Sequence, residues 1–511
     1  MTVTLTVTVT DSTGNETVQT HDFEAGAAET ILTGDIGGLV PAGSVARLRG
    51  SCRLVDNLHI RGTLLCDPSG VELDGQNLYD IHTHDGTLNL VGVEKTAWCR
   101  WGDVPVGWQV GDRLSVAPTA VGVYLPYELT WQGSWATTQR PLNAADVTLV
   151  DGSIARPEVV NLSQTVTLKN LTRIMIHEAS ASNPQTFKWI RVLNSGVSGQ
   201  LGFYPIHFHQ IYDHARGSLL EGVVVEGGKN HAFVPHGSHG ITHTDCVAYN
   251  TTATAFWWDR PIPGLTPRDI SNDTNDLIWD RCLALKVQPF PGDSGNTRLA
   301  GFWLGSGLNV ACTNSVASCI PGLLSGSQET SGFHWPEAAS ADPWIFQNCL
   351  SHNCGNSGIF TWQNTPHPHH VEDFTSYNCA KSGVNHGAYS NFYAYQRNVL
   401  DGATAVIQHA KTTSETPQTE HLVFEDITTN GKLIVPKHNS ASMAPTIHRR
   451  CTYSQVVYDE PVNGANGSYN IFEDCQLVPA DFNMTVSNPG SIAEIYEGGV
   501  LVHRWASGVW S

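Results

Sequence analysis

The chain has 511 residues, of which 15% are charged, and a formal net charge of −19 at pH 7. An acidic surplus repels polyanions, which argues against nucleic acid or an anionic membrane surface as a general partner. The few charges, together with 48 glycines and 26 prolines, are typical of a β-rich, turn-rich protein with little helix.

The chain begins with a strand pattern. Threonine alternates with valine or leucine from Thr2 to Thr10, which is the period-two signature of a β-strand and differs from the charged, then apolar layout of a signal peptide. The sequence holds no apolar run of about 18 residues, so no membrane span is predicted. The expected location is extracellular or the surface of a virus particle, reached without a signal peptide visible in this chain.

A short phrase recurs along the second half of the chain, and its apolar anchor returns at spacings of 25, 25, 28, 24 and 24 residues. The anchors are Cys349, Phe374, Val399, Ile427, Cys451 and Cys475. Each phrase is apolar or β-branched at alternate positions and ends in a turn residue, as strands do. Self-similarity at this period predicts a solenoid, here a parallel β-helix whose coils share one core.

Asparagine and cysteine mark fixed places in these coils. Asparagine stands four residues after the anchor at Asn250, Asn353 and Asn378, which predicts an internal ladder whose amides bond the backbone of the next coil. Five of the 12 cysteines share the inward anchor position, so we expect buried free thiols there in preference to disulfides. These five are Cys246, Cys282, Cys349, Cys451 and Cys475, while Cys52, Cys66 and Cys99 stay open.

The predicted fold class is all-β, a right-handed parallel β-helix preceded by a β-rich N-terminal module. We expect an N-terminal strand segment at residues 1–30, the β-rich module at 31–120, and first coils with an insertion at 121–200. The main β-helix follows at 201–480, and a C-terminal cap at 481–511.

Two histidine clusters point to chemistry. The stretch YPIHFHQIYDH, Tyr204 to His214, holds three histidines and an aspartate, and four more histidines lie between His231 and His243. Residues two apart on a strand face the same way, so if Ile206 and Phe208 point into the coil, His207 and His209 point outward together. Two coils further on, Trp257 and Asp259 form a similar outward pair. We expect Asp213, His236 and His239 to join that face from adjacent turns.

Several motifs, in order, resemble the family of cell-migration-inducing and transmembrane cell-surface hyaluronidases. They are LVPAGSVARL, LHIRGTL, IHTHDGTLNLVG, GWQVGD, RPEVVNLSQTVTL, YPIHFH, HGSHGI, DCVAYNTTATAFWWD, AGFWLGSGLN, GSQETSGF and FQNCLSHN, and they cover roughly residues 35 to 360. The resemblance implies an eight-glycine domain at the N-terminal module and endo-hydrolysis of a hyaluronan-like polymer. Two positions depart from the family: Thr254 replaces a histidine, and Arg260 follows Asp259 where the family has an acidic pair.

Outward imidazoles beside carboxylates can transfer protons near neutral pH, and two reactions compete for them. A hydrolase needs two carboxylates, for which Asp213, Asp259, Glu226 and Glu329 are available. A lyase needs a base and a neutraliser for the sugar carboxylate, which His207, His209 and Arg260 could provide. We favour hydrolysis, with elimination as the second choice. The predicted catalytic residues are His207, His209, Asp213, His236 and Asp259, and the predicted substrate-binding residues are His239, Trp257, Arg260, Trp303, Glu329 and Trp362.

Other interpretations stay open. The His-x-His pattern would suit zinc or copper through imidazole nitrogens, and Asp213 with nearby carbonyls would suit calcium. For His214, His243 and the run from His367 to His370 we favour a scaffold role, and for Trp258 we favour packing. The main alternative to an enzyme is a non-catalytic glycan-binding or structural protein, such as an adhesin or a virus tail component, whose partners would include further copies of itself or a virion.

Overall fold

The computed structural model of the protein describes residues 2–10, 16–24, 29–257, 273–291, 299–305, 307–322, 330–335, 344–361, 369–386, 393–402, 405–409, 422–435, 445–458, 468–484 and 490–511. Within these residues the regular structure is β-strand apart from three short 3-10 turns, at Leu142–Ala144, Asp213–Ala215 and Pro479–Asp481. No helix in this part of the chain is long and apolar enough to cross a bilayer. The fold is a right-handed parallel β-helix, as predicted.

The chain divides into two compact units. The first comprises residues 1–117, 126–141 and 158–293, and the second comprises residues 118–125, 142–157 and 294–511. In both units each coil contributes short strands to three parallel sheets, and each strand pairs in register with the strand one coil away. This in-register stacking places equivalent side chains of successive coils next to one another.

Sheets A, B and C form the first unit. Sheet A contains Ile81–His84, Ile174–His177, Ile206–Tyr212 and Phe233–Ser238. Sheet B contains Thr63–Cys66, Thr87–Val91, Thr186–Lys188, Leu219–Glu221, Thr242–Thr244 and Ile278–Asp280. Sheet C contains Val71–Asp74, Val166–Lys169, Arg191–Leu193, Val224–Glu226, Val247–Tyr249 and Leu283–Leu285.

Parallel coils are already present within the segment predicted as a β-rich module at residues 31–120, ahead of the first coils predicted at 121–200. Two long strands, Thr30–Val40 and Val45–Ile60, already pair in parallel, and the second supplies strand segments to all three sheets. Most of the predicted module at 31–120 therefore consists of turns of the parallel β-helix. Ahead of it, Thr2–Thr10 is a strand, as predicted, and pairs antiparallel with Glu16–Glu24.

An antiparallel insertion interrupts the coils of the first unit. Its four strands are Tyr127–Thr130, Arg113–Val116, Glu158–Asn161 and Trp98–Arg100, in that spatial order. The buried ion pair of Lys95 with Asp112, at 2.9 Å, anchors its base, and Lys95 also donates to the Ser163 carbonyl. Because of this insertion, strands that are adjacent in sheet A lie 93 positions apart in sequence, as Ile81 and Ile174 do.

Sheets D, E and F form the second unit. Sheet D contains Leu299–Trp303, Thr330–Trp335, Ser357–Thr361, Ser382–His386, Ala405–His409, Lys432–Val435 and Gln455–Tyr458. Sheet E contains Ala311–Thr313, Ile345–Gln347, His369–Glu372, Tyr393–Gln396, Leu422–Glu425, Thr446–Arg449, Tyr469–Glu473 and Ile492–Glu497. Sheet F contains Val316–Ser318, Leu350–His352, Thr375–Tyr377, Val399–Asp401 and Thr428–Thr429.

The C-terminal segment changes from parallel to antiparallel pairing. Ile492–Glu497 pairs in parallel with the preceding coil and antiparallel with Val500–Ala506, which in turn pairs with Val509–Trp510. The hairpin of Ile492–Glu497 and Val500–Ala506 lies within the C-terminal cap predicted at residues 481–511. In the second unit the segment at residues 142–157 forms a separate small hairpin, Val147–Thr148 with Ile154–Ala155.

The interior confirms the prediction of core thiols. All 12 cysteines are free and buried. Sulfur atoms of consecutive coils approach one another, with 3.9 Å between Cys349 Sγ at the anchor position and the Sγ of Cys312, which pairs in register with Phe346. Burial raises the pKa of Cys282 well above its ordinary value, and the neighbouring Cys246 adds to the shift. These thiols are therefore packed as small apolar groups, which is the usual behaviour of buried free cysteine.

The asparagine ladder differs from the prediction. Asn250, Asn353 and Asn378 all have a positive φ near +50°, which asparagine tolerates better than most residues. The side-chain amide of Asn353 donates to the carbonyls of Ala120 and Val123, and that of Asn378 donates to Thr119. These two amides therefore bind the segment at residues 118–125 of the same unit and not the next coil.

One predicted anchor is also wrong. Phe374 is followed one coil later by Asn398 and not by Val399, because Val399 pairs with Thr375. The side-chain oxygen of the buried Asn398 accepts a hydrogen bond from the Phe374 backbone at 2.9 Å. Ile427 then continues the same position, since Thr428 pairs with Val399. The hydrogen bond satisfies the side-chain oxygen of Asn398, whereas its Nδ2 is buried without a hydrogen-bond partner among the described residues.

Candidate functional site

The first histidine cluster is built by alternation on one strand of sheet A. On Ile206–Tyr212, the side chains of Ile206 and Phe208 are buried, and the rings of His207 and His209 lie together on the other face, 5.0 Å apart between centroids. The next strand, Phe233–Ser238, pairs His236 directly with His209. The predicted pairing of His207 with His209, and the arrival of His236 beside them, are therefore seen in the structure.

The three imidazoles form a compact group. His209 Nδ1 lies 3.2 Å from His236 Nδ1, and the rings of His207 and His236 are parallel at 6.0 Å. A hydrogen bond between two imidazole nitrogens requires that one of them carries a proton and the other accepts it. The cluster can therefore hold a shared proton, and one ring nitrogen of each histidine lies within 4.8 Å of the others, which is close enough for a common metal ion.

His207 does not have the accessible position that was predicted. Only 1% of its surface is exposed, and its ring packs edge-on against the buried Tyr204 at 4.8 Å. His207 Nδ1 donates to the Gly202 carbonyl at 3.3 Å. Burial lowers the pKa of His207 well below its usual value, and the neighbouring His209 and His236 lower it further. His207 therefore faces away from the core of the coil but is covered by neighbouring residues.

His209 is the more accessible member and is neutral at physiological pH. Burial lowers its pKa to about 4, and the charges of His236 and Arg173 act in the same direction. An imidazole with this pKa is unprotonated at neutral pH, so it can accept a proton but cannot supply one, and it is a weaker base than an imidazole of ordinary pKa. Of the two roles, acid and base, His209 can therefore start only as the base.

An aromatic surface lies beside the cluster. The ring of Trp257 stacks on His231 at 3.9 Å with an interplanar angle of 8°. Trp257 also contacts Tyr204, which connects it to His207. His231 is fixed by a 2.8 Å hydrogen bond from Nδ1 to the backbone oxygen of Thr254. Trp257 is half-buried, so one part of the indole is available to a sugar ring.

Asp213 and His239 form a separate group. Asp213 lies on the 3-10 turn after the histidine strand, is exposed, and accepts a hydrogen bond from Arg216 at 2.7 Å. Arg216 also pairs with Asp276. His239 Nδ1 accepts the backbone N–H of Asn275, and burial lowers the His239 pKa. Asp213 therefore pairs with an arginine and not with His207 or His209. It belongs to none of the potential metal-binding groups among the described residues.

Two further predicted residues serve packing or charge pairing. Trp303 is 4% exposed and stacks on His334 at 4.1 Å within sheet D, so it cannot stack on a sugar in this conformation. Glu226 lies on sheet C, where Arg113 and Arg191 donate to its two oxygens at 3.2 Å each. As a buried ion-pair partner on a sheet other than A, Glu226 is not available as a second carboxylate for the histidine cluster.

Four predicted residues lie outside the described part of the chain. They are Asp259, Arg260, Glu329 and Trp362, and Trp258 lies outside it as well. Their roles stay predictions. The predicted scaffold role of His243 agrees with its position on the inward face of sheet B, where it is buried in register between Leu220 and Trp279.

Sequence reasoning missed four histidines on the same face of sheet A. In register, His59 lies beside His82, and His84 lies beside His177. The rings of His84 and His177 are 4.5 Å apart, and burial, together with the charge of His84, lowers the pKa of His177 to about 4. Each of these histidines alternates with apolar residues, as in LHI, IHTH and IMIH. We use "histidine strip" for all seven: His59, His82, His84, His177, His207, His209 and His236.

Comparisons with solved structures return other β-helical proteins at low similarity. The receptor-binding tailspike of bacteriophage Det7 is 11% identical, with a TM-score of 0.30, over 89% of this chain and 71% of that one. The exopolygalacturonase of Thermotoga maritima is 9% identical, with a TM-score of 0.24, over 90% and 88%. The tailspike of Pseudomonas phage phi297 is 11% identical, with a TM-score of 0.19, over 89% and 74%.

No protein-family model matches the chain, and no curated protein matches it in sequence. The specific resemblance to the hyaluronidases therefore stays a prediction. The structural similarities are too remote to assign an activity, so a functional assignment depends on the site itself.

Proposed function

We propose that this protein is a polysaccharide-degrading enzyme whose substrate lies along the outer face of sheet A and reacts at His209 and His236. The observation that carries the proposal is the half-buried His209, neutral at physiological pH and in nitrogen-to-nitrogen contact with His236. Trp257, exposed in part and connected to the cluster through Tyr204, supplies a flat surface for a sugar ring.

Two reactions are consistent with this site. Hydrolysis, which the hyaluronidase resemblance implies, needs carboxylates that Asp259 and Glu329 would have to supply, since Asp213 and Glu226 are paired with arginines. Elimination is supported by a specific observation: His209 is unprotonated at neutral pH, so it can accept the proton that elimination removes from the sugar ring. Hydrolysis is the first proposal, and elimination is the second.

The identity of the substrate polymer is a separate part of the proposal. A hyaluronan-like chain follows from the resemblance, whereas the net charge of −19 equally suits a neutral glycan. An extracellular or virion-surface location, and assembly with further copies or with a virion, belong to the same proposal. The non-catalytic alternative uses the same surface for binding alone.

The test measures chain length of hyaluronan, chondroitin and a bacterial capsular glycan by size-exclusion chromatography after incubation with the protein. We expect at least one polymer to shorten, and His209→Ala and His236→Ala to lower the rate by about 100-fold or more, the usual contribution of a general base. The matched control is His370→Ala, an exposed histidine on sheet E.

The outcomes separate the alternatives. Ultraviolet absorbance of an unsaturated sugar among the products identifies elimination, and its absence from shortened products identifies hydrolysis. Binding that is lost in Trp257→Ala without any shortening identifies a glycan-binding protein. Cleavage at the wild-type rate by folded His209→Ala and His236→Ala contradicts the proposed site.

A further inference from the structure

A second histidine group on sheet A takes no part in the proposed reaction. His59 and His82 are paired neighbours on adjacent coils, and His84 follows His82 two residues later on the same face. The ring centroids of the three pairs are 5.3 to 6.0 Å apart. Each histidine offers one ring nitrogen within 4.8 Å of the other two.

The nitrogen spacing fits a single metal ion. His59 Nδ1 lies 3.1 Å from His84 Nε2. Zinc binds imidazole nitrogen at about 2.0–2.1 Å, so two nitrogens at tetrahedral positions on one ion are separated by roughly 3.4 Å. One pair is thus already near the required separation, and small side-chain rotations would bring in the nitrogen of His82.

A carboxylate holds the second nitrogen of one of these rings, which is an independent feature of metal-binding histidines. Glu178 Oε2 lies 2.7 Å from His84 Nδ1, which leaves Nε2, the atom facing His59, free of that contact. Asp80 Oδ2 lies 3.1 Å from His82 Nε2 without making a hydrogen bond to it, and is itself held by Arg173 at 3.1 Å. A carboxylate on the second nitrogen fixes the tautomer and orientation of a ligating histidine.

The accessibility also agrees with metal binding. All three side chains are half-buried, so an ion at this position would be reachable from solvent.

We propose that His59, His82 and His84 form a binding site for a divalent transition-metal ion of the zinc, nickel or copper class. Three imidazoles without a carboxylate ligand select such ions over calcium or magnesium, which require oxygen ligands. Three protein ligands leave one tetrahedral position for water or an incoming ligand. The site is separate from the proposed glycan-processing residues, and its existence does not depend on them.

The test uses the full-length protein after chelator treatment, in a His209→Ala/His236→Ala background that removes the other accessible histidine pair. Cobalt(II) is titrated and its visible absorption bands are followed, with zinc binding measured by calorimetry. We expect one equivalent of tight binding and an intense absorption typical of four-coordinate cobalt. Replacing His59 or His84 by alanine should abolish that equivalent. Glu178→Gln should weaken binding by about 10- to 100-fold, as carboxylate partners of metal ligands do.

His177→Ala is the matched control, because His177 contacts His84 but is not one of the three proposed ligands. It should retain the equivalent of bound ion. Loss of binding in His177→Ala with retention in His59→Ala would overturn the proposal in favour of His84, His177 and Glu178. Binding that is unchanged in both His59→Ala and the conservative His84→Gln, each with wild-type circular dichroism and thermal unfolding, would also overturn it.

Discussion

The histidine strip of sheet A and the outer row of sheet D have the same backbone arrangement and opposite surroundings. Both are rows of equivalent side chains on in-register parallel strands. In sheet D the row is Trp303, His334, Phe360 and Asn385, and all four side chains are buried. In the histidine strip five of the seven rings keep part of their surface exposed.

The difference shows that facing away from the core does not make a residue functional. Trp303 and His334 stack at 4.1 Å, and His334 packs on Phe360 at 5.0 Å, so this row stabilises its sheet. In the strip, imidazole nitrogens approach one another to 3.1 and 3.2 Å at two places. Direct nitrogen-to-nitrogen contacts are suited to sharing a proton or an ion, which apolar stacking is not.

The largest expected effect is at Trp303 of the sheet D row, compared with Trp257, which lies beside the histidine strip. Trp303→Ala should lower the free energy of unfolding of the second unit by about 3–5 kcal/mol, because it leaves a cavity against His334. Trp257→Ala should cost the first unit only about 1 kcal/mol, since the half-buried ring loses mainly one stacking contact. Urea unfolding followed by circular dichroism checks both values. Equal losses would contradict the difference in burial between these two tryptophans.

The second comparison is between a buried and a more exposed glutamate of the first unit, Glu226 and Glu221. Glu226→Gln should destabilise the protein by about 3 kcal/mol, because Arg191 is left buried without its carboxylate. The matched control is Glu221→Gln, whose partner Lys188 is more exposed, and it should cost at most about 1 kcal/mol. Cleavage of a polymer by folded Glu226→Gln at the wild-type rate is expected. A selective loss of activity without loss of stability would restore Glu226 as a catalytic carboxylate.

A buried histidine off the strip should make stability sensitive to acid. Burial lowers the pKa of His243 to about 3, whereas an unfolded histidine titrates near about 6.5. Below about pH 6.5 the unfolded state therefore binds a proton that the folded state does not. As the pH is lowered through this range, the free energy of unfolding decreases by about 1.4 kcal/mol per pH unit. His243→Leu should remove about 2 kcal/mol of the loss between about pH 6.5 and pH 5.

Urea unfolding at several pH values measures this slope. His448 of the second unit, whose pKa burial also lowers to about 3, should behave in the same way when replaced by leucine. A slope unchanged from wild type in both variants would contradict the assignment of neutral buried histidines.

The smallest effect is expected at exposed ion pairs. Arg397 pairs with Glu372 and Asp373 at 3.1 and 2.8 Å on the surface of sheet E. Arg397→Ala should change the free energy of unfolding by at most about 1 kcal/mol, since solvent and salt screen exposed charges. Repeating the measurement at high salt should remove even this difference. A larger, salt-independent loss of stability would show that this exposed pair behaves like the buried ion pairs of Glu226.

Much of the fold was predictable from local patterns. The spacing of Cys349, Cys451 and Cys475 predicted stacked coils, and their burial followed from the same register. The alternation in IHFH correctly placed Ile206 and Phe208 inside and His207 and His209 on the other face. The pattern failed where a polar residue occupies the anchor, as Asn398 does, because its side-chain oxygen accepts a backbone hydrogen bond where the other coils make an apolar contact.

The candidate site was predictable only in part. His209 and His236 lie one coil apart, 27 residues, so their meeting followed from the period. His84 and His177 meet across the antiparallel insertion, and their separation in sequence hides that they belong to adjacent coils. Burial of His207 depends on Tyr204 and on the segment around Gly202, whose path no local pattern predicts.

The sequence by itself determined the class of fold and the face of each strand on which a histidine lies, because strand alternation and coil period are local properties of the backbone. Only the tertiary structure decided which histidines meet and which are covered. That outcome depends on how insertions set the neighbours of each coil and on which segments pack over the sheet. The histidine strip therefore exists as a unit only in the folded protein.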